Sequence, residues 1–409
     1  MHDVPGPMPS GAVAALAEEP RPRRFCFVLP PPERYSPASG GAVATVTRQL
    51  SRSLLAAGHP VTVLTPVDGE PWYDDGDVRP LRFGPAAPLP DLAHKAYVVE
   101  ARLRKWGWPE YGRYRRNVLR TLGSLHPTPD VVVVANDPEL AVRLARRRTG
   151  GRPILWLHNQ LEGREAQHLA HLPPGVELVA VSDAVRSWTA DRFGIDPARI
   201  AVIHNGVDGD EFHPRDGYTD PRSPLRVVCH GLIDPNKGHD VAAVAVAALR
   251  GQGIPVTLTL VGGIQTFGLP AHEVSAYARH LDGVMADADA ITTGRISASQ
   301  VAPVLRGHDV ACVLSKSAEP FPLAGLEALA SGCAVVTTGA GGLGELMGDA
   351  ALYVRPDDAA QVAEVLAGLV ADPAALAERK RAARRRSEQF TWGAAAAALL
   401  SCTSQVNAS

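Results

Sequence analysis

Residues 318–332 read AEPFPLAGLEALASG, and the flanks of this stretch decide how the chain folds. Before it stands VACVL at 310–314 and after it AVVTT at 334–338, two short apolar runs of β type. The chain must therefore leave one strand, form a helix and return to a second. Pro322 suits the first position of that helix, where its missing N–H is no loss, and Leu323, Ala324 and Gly325 follow as amides at the helix N-terminus. Glu319 lies in the loop and Glu327 about one turn into the helix, so both carboxylates can enter one pocket and accept hydrogen bonds from hydroxyl groups.

The same alternation extends outward in both directions. Apolar runs at 25–29, 61–65, 131–135, 154–157, 178–181 and 201–204 precede it, those at 225–230 and 256–261 lie nearer, and 351–354 follows. Amphipathic segments separate them, which predicts βα units and parallel sheets. Asp208 to Pro224 (DGDEFHPRDGYTDPRSP) is polar and aperiodic, so a linker is placed at 209–224. The expected architecture is α/β: two doubly wound, Rossmann-like domains facing a central cleft. They occupy 24–208 and 225–388, after a disordered leader at 1–23. A crossover helix and tail at 389–409 return to the first domain. Ligands in such folds sit at the carboxyl ends of the strands, so functional residues are sought immediately after strands.

Composition removes several classes of function. Lys plus Arg total 41 against 43 acids, a net charge of -2, so no global basic field draws nucleic acid. With 45% apolar and 21% charged residues, and no apolar run near the ~18 residues of a membrane span, the expectation is a cytoplasmic protein. Five cysteines without a CxxC pair read as reduced thiols.

Two further loops carry chemistry. PPPERYSPASGGA at 30–42 leads into a helix with Val43, Val46, Leu50 and Leu54 on one face, so Gly40 and Gly41 open that helix and let amides approach an anion. LRVVCH runs into Gly231 and on to Asp234, Pro235, Asn236, Lys237 and Gly238. This places one of only five lysines where a compact charge would neutralise a diphosphate. For each loop alone, the plain alternatives are a glycine turn without ligand and a solvated lysine.

Taken together with GHPVTVLT at 58–65, LHN at 157–159, the run from Ala180 to Phe212, TTGRIS at 292–297 and GCAVVTTGAGGLGEL at 332–346, these segments resemble the retaining GT-B glycosyltransferases of family 4 type over roughly residues 24–395. The resemblance implies sugar transfer from a nucleotide-diphosphate sugar to an acceptor hydroxyl, in the making of small-molecule glycosides or cell-envelope glycans. It implies no cofactor and no metal, with UDP the default nucleotide. By the resemblance Lys237 holds the diphosphate, Glu327 the ribose, and Glu319 with the amides after Phe321 (Leu323, Ala324) the transferred sugar. His158 lies near the anomeric centre, Gly40 and Gly41 beside phosphate and acceptor, Gly231 in the donor loop, and Arg295 and Ile296 at the nucleobase.

The chain departs from the family pattern at Leu232, usually Arg, and at Pro322, usually Gly. Lys316 is expected to restore part of the lost positive charge. These departures keep open a non-catalytic sugar-nucleotide-binding protein; a sugar-nucleotide epimerase on the same fold is the other alternative. Residues 95–120, basic and aromatic, are expected to face an anionic acceptor or a membrane surface peripherally, or to form a solvated helix face. Three motifs are set aside. Gly339, Gly341 and Gly344 spell GxGxxG, but the next strand follows too soon for a dinucleotide fold. Asp75 and Asp77 read as solvated loop, and His168 and His171 lack a third ligand at metal spacing.

Overall fold

The computed structural model describes residues 21–37, 41–66, 71–81, 109–147, 150–163, 165–264 and 270–404. Its first half runs β1 (Phe25–Val28), α1 (Ala42–Ala56), β2 (Val61–Pro66), β3 (Asp77–Leu81), α2 (Pro109–Ser124), β4 (Val131–Ala135), α3 (Pro138–Arg147), β5 (Arg152–Leu157), β6 (Glu177–Ala180), α4 (Asp183–Phe193) and β7 (Ile200–Val202). The second runs β8 (Leu225–His230), α5 (His239–Gly251), β9 (Val256–Val261), α6 (Ala271–Ala288), β10 (Ile291–Thr292), α7 (Ala298–Arg306), β11 (Val310–Val313), α8 (Leu323–Ala330), β12 (Ala334–Thr337), α9 (Gly342–Met347), β13 (Leu352–Tyr353), α10 (Ala359–Ala371), α11 (Pro373–Ser387) and α12 (Trp392–Ser404).

The strands form two sheets, ordered β3-β2-β1-β4-β5-β6-β7 and β10-β9-β8-β11-β12-β13, with parallel pairing throughout. Each sheet has its switch point beside its own first strand, between β1 and β4 and between β8 and β11. The loops leaving those strands are therefore splayed apart and open to a ligand. They are the loops of Gly41, Asn136, Lys237 and Glu319.

Local sequence accounts for the framework. β4 is VVVVA, buried along its whole length, as a strand covered on both faces requires. α1 buries Val43, Val46, Leu50 and Leu54, the face its periodicity predicts. Ser182 caps α4 by accepting from the Val185 amide at 3.1 Å, and Gly194 ends that helix in the left-handed region. One buried apolar cluster passes from Phe25 and Trp156 in the first sheet through Phe321 and Leu326 to Phe390 and Trp392, so the two halves share a core.

The C-terminal crossover is also present. α12 packs on α1, and the Val207 amide donates to the Phe390 carbonyl at 3.0 Å. Gly206 is required where the chains cross, because a Cβ there would lie 2.4 Å from the Trp392 nitrogen.

Several expectations are corrected. β3 and β10 were not anticipated: both are edge strands, mostly exposed, and β3 contains Pro80, so neither shows apolar alternation. Asp77 begins β3 rather than lying in a loop, and Asp75 is bound by Arg48 at 2.8 Å. Arg23, at the end of the presumed leader, is part of the fold: its amide donates to His59 and its guanidinium to the Leu400 carbonyl, each at 3.0 Å. The five cysteines, by contrast, are free thiols as expected.

Candidate functional site

The site grows from the two loops at the second switch point. After β8, Asp234 closes a turn: its carboxylate accepts from the Asn236 amide at 2.8 Å and its carbonyl from the Lys237 amide at 2.9 Å. Gly238 then starts α5 with φ +71, and a Cβ there would fall 2.3 Å from the Leu314 carbonyl oxygen. The loop of Lys237 is thus pressed against the end of β11, which is possible only with glycine.

From β11, Ser315 and Glu319 face that lysine. Lys237 Nζ lies 2.5 Å from Glu319 Oε1, and the Ser315 hydroxyl donates to the same oxygen at 2.6 Å. The glycine-rich loop after β12 fixes the backbone of Glu319, whose amide donates to the Ala340 carbonyl at 3.1 Å and whose carbonyl accepts from Gly342 at 2.6 Å. The GxGxxG segment therefore braces the glutamate loop, and the helix it opens, α9, has only six residues.

Pro322 stands at the N-cap of α8, one position earlier than expected. The Gly325 amide donates to the Pro322 carbonyl at 3.2 Å, which leaves Leu323 and Ala324 as the amides preceding the first such bond. A turn into the helix, Glu327 is held by His230 at the end of β8, with Nε2 3.1 Å from Oε2. Gly231 has φ +115, and a Cβ added there would lie 3.7 Å from the Ala324 Cβ. Arg295 and Ile296 follow β10 and adjoin this cluster through Gly294, whose carbonyl accepts from the Gly262 amide at 3.0 Å.

Gly231, Lys237, Glu319, Phe321, Leu323, Ala324 and Glu327 are thus gathered at one end of the second sheet, with Arg295 and Ile296 at its margin. Gly41 and His158 belong to the first sheet, and Gly40 lies outside the described residues. His158 follows β5, stacks on Trp156 with centroids 5.5 Å apart, and is pushed down to about 3 by burial, so its imidazole is neutral. Gly41 is the N-cap of α1.

The two carboxyl edges meet. Phe321 stacks on His204 at 4.8 Å, and Asn205 donates to the Phe321 carbonyl at 3.0 Å. Glu345 on α9 contacts His204 and accepts from the Asp183 amide at 2.8 Å. Burial alone would raise the Glu345 carboxyl, but the His204 ring and the amides of α4 hold it below its ordinary value. His204, Asn205, His230, Ser315 and Glu345 were not singled out in the sequence; their significance comes from contacts made through the fold, most of them between distant positions, that no local pattern records.

Lys316 does not restore charge to the donor loop. Its ammonium is bound by Asp357 at 2.6 Å and Asp240 at 3.1 Å, and these partners outweigh burial and raise its pKa. In the basic segment, 95–108 lie outside the described residues. Within α2, Tyr114 and Arg115 are buried, Arg115 on Asp137 and Glu139, whereas Arg113 and Arg120 are exposed, as is Arg116. Among the described residues no group of three or more His, Cys, Asp or Glu is placed to hold a metal ion, His168 and His171 included.

Comparison with known proteins agrees with this geometry. Residues 39–211 match the family described as Glycosyltransferase Family 4, and residues 224–372 that described as Glycosyl transferases group 1. A glycogen synthase of Mycobacterium tuberculosis is 28% identical over 394 residues, covering 89% of this chain and 91% of that one. Among solved structures, sucrose-phosphate synthase from Thermosynechococcus elongatus superposes with a TM-score of 0.73 at 20% identity, over 94% of this chain and 99% of that one. Anabaena HepE, solved with UDP and glucose, gives 0.70 at 17% identity, over 94% and 100%.

Proposed function

Since the chain belongs to the GT-B glycosyltransferases of family 4 type, and is by that membership a glycosyltransferase, we propose that it transfers a sugar from a nucleotide-diphosphate sugar to an acceptor hydroxyl with retention of configuration. The observation that carries this reading is the Lys237 and Glu319 pair, set against the first amides of α8. That arrangement offers a cation and helix-end amides to a diphosphate, and a carboxylate to sugar hydroxyls. The likeness to a fold solved with UDP and glucose supports a UDP-sugar as the first donor to try.

In the proposed reaction Lys237 exchanges part of its contact with Glu319 for the departing diphosphate, and Glu319 turns its freed oxygen to a hydroxyl of the sugar. Glu327, positioned by His230, receives the ribose, while Arg295 and Ile296 border the base. His158, uncharged, donates or accepts one hydrogen bond near the anomeric carbon without placing a cation there. Rate enhancement then comes from alignment of acceptor and anomeric carbon and from stabilisation of the leaving group. The reaction is proposed to be cytoplasmic and to need no metal.

The test is calorimetry with UDP-, GDP-, ADP- and dTDP-sugars on wild type and Lys237→Ala, followed by turnover after dialysis against EDTA and NMR assignment of the product anomer. One nucleotide should bind and be weakened by the substitution, turnover should survive EDTA, and the donor's anomeric configuration should persist. Leu232 and the diversion of Lys316 favour a second reading, a binding protein without turnover. Donor binding with neither transfer nor hydrolysis would establish it in place of the first.

A further inference from the structure

The first turn of α4 is capped from two sides. Ser182, its own N-cap, accepts from the Val185 amide, which leaves the Asp183 and Ala184 amides to be met from outside the helix. Glu345 of the second domain meets them. Its Oε2 accepts from the Asp183 amide at 2.8 Å, the Ala184 amide also draws on the carboxylate, and Oε1 contacts His204 Nε2. A carboxylate at a helix N-terminus is held by charge as well as by hydrogen bonds. This one is only 20% exposed, so water screens the contact in part.

The residue that reaches across is fixed to the donor site behind it. α9 begins at Gly342, whose amide donates to the Glu319 carbonyl, and a Cβ on Gly342 would lie 1.9 Å from the Pro320 carbonyl oxygen. Glu319 also pairs with Gly341 as an isolated parallel bridge. From the other side Arg386 of α11 clasps α9, with Nε 2.8 Å from the Leu346 carbonyl oxygen and Nη2 2.6 Å from that of Glu345. A shift of α9 is therefore passed to Glu319.

The far end of the same loop is held by the first domain. His204 stacks on Phe321, Asn205 donates to the Phe321 carbonyl, and Phe390, edge-on to both rings, closes the cluster. Segment 319–321 is thus suspended between α9 on one side and His204 with Asn205 on the other. Glu345 ties those two supports together.

We infer that Glu345 is a positioning residue: by joining the second domain to His204 and the N-terminus of α4, it sets the Glu319 loop in its working place, so that placement of the sugar depends on the contact between the domains. The inference rests on the glycosyl-transfer reading. Lys237 is shaped by the Asp234 turn and Glu327 by His230, so the nucleotide keeps those contacts when Glu345 is removed. The loss should fall on turnover rather than on nucleotide affinity.

The experiment uses the full chain with whichever of the UDP-, GDP-, ADP- and dTDP-sugars binds the wild type, and reads turnover as release of the nucleoside diphosphate to water. Glu345→Ala is expected to lower kcat about tenfold and to change the Kd of that nucleoside diphosphate by less than about twofold. Glu345→Gln, which keeps an oxygen for the α4 amides, should recover to within about threefold of wild type. His204→Phe, which keeps a ring on Phe321 but no nitrogen, should reproduce the loss, and the double variant should fall no further than Glu345→Ala. Hydrogen exchange at the Glu319 and Gly342 amides should quicken about fivefold in Glu345→Ala, a change that loss of a surface contact alone does not produce. A lower melting temperature with kcat and that exchange unchanged makes Glu345 a stability contact only and overturns the inference, as does a double variant in which the two losses multiply. A wild type that binds no donor, or releases nothing from it, instead defeats the transferase reading itself and this inference with it. If Glu345→Ala does not fold, His204→Phe carries the same test from the other domain.

Discussion

Replacing Lys237 by Met separates what its ion pair does for the fold from what its charge does for chemistry. In the resting protein Nζ is 2.5 Å from Glu319, with the lysine side chain 33% exposed and the glutamate 10%. A pair so placed contributes about 1–2 kcal/mol, between an exposed bridge and a buried one. Against a departing diphosphate at ~4 Å the same charge is worth about 4 kcal/mol at an effective dielectric of about 20, and roughly half of that should survive its solvent exposure. About 2 kcal/mol of lost leaving-group stabilisation corresponds to ~30-fold in rate.

The assay is a double-mutant cycle with Glu319→Gln, reading urea stability and donor turnover side by side. Lys237→Met should lose about 1–2 kcal/mol because Glu319, nearly buried, keeps only the Ser315 hydroxyl. The double variant, with no orphaned carboxylate, should regain most of that stability and none of the turnover. Turnover in Lys237→Met within about threefold of wild type would refute the reasoning, as would recovery of turnover in the double variant; both magnitudes follow from the same Coulomb estimate.

Gly238→Ala should cost about 2–3 kcal/mol by combining a φ of +71 with a Cβ 2.3 Å from Leu314, and should weaken donor binding by displacing Lys237; melting and calorimetry check both. Burial holds His158 at about 3, below the 6.5 of an exposed ring, so the unfolded chain takes the proton first. Its contribution to stability is whole above pH 6.5 and lost toward pH 3, at up to ~1.4 kcal/mol per pH unit, and His158→Phe, retaining the stack on Trp156, should flatten that slope in urea titrations between pH 6.5 and 4. Lys316→Met should leave donor affinity within about twofold while lowering stability by about 1 kcal/mol, since its partners are Asp240 and Asp357; a large loss of affinity would restore it to the donor site.

The sheets were legible because central strands are apolar on both faces and bounded by turn residues, as in β1 and β4. β3 and β10 were not, because an exposed edge strand imposes no burial pattern on its side chains. At the site, residue identities could be read wherever a backbone constraint forces a choice, such as glycine at 238. Pairings could not. Nothing local distinguishes a Lys316 turned toward Asp357 from one turned toward a diphosphate, and Glu33 in its proline-rich loop gives no sign that it closes back on α1. Both depend on which loops the switch points bring together.

This explains how the site can function with so little cationic side chain. Leu232 replaces one expected cation, Lys316 is neutralised, and Arg115 is turned inward on acids. Lys237 is left to act with the Leu323 and Ala324 amides, whose partial charges are fixed by the fold and need no counterion when the site is empty. Lys237 is different: unpaired in the open loop it would be a mobile, hydrated charge, and Glu319 holds it in place until a substrate competes. In the proposed reaction Glu319 therefore has two successive partners, the ammonium at rest and a sugar hydroxyl once the diphosphate takes the lysine, with the Ser315 hydroxyl at 2.6 Å orienting the carboxylate. On the opposite sheet Glu33 sits on the Ala44 amide, with the charge of Arg34 also acting on it.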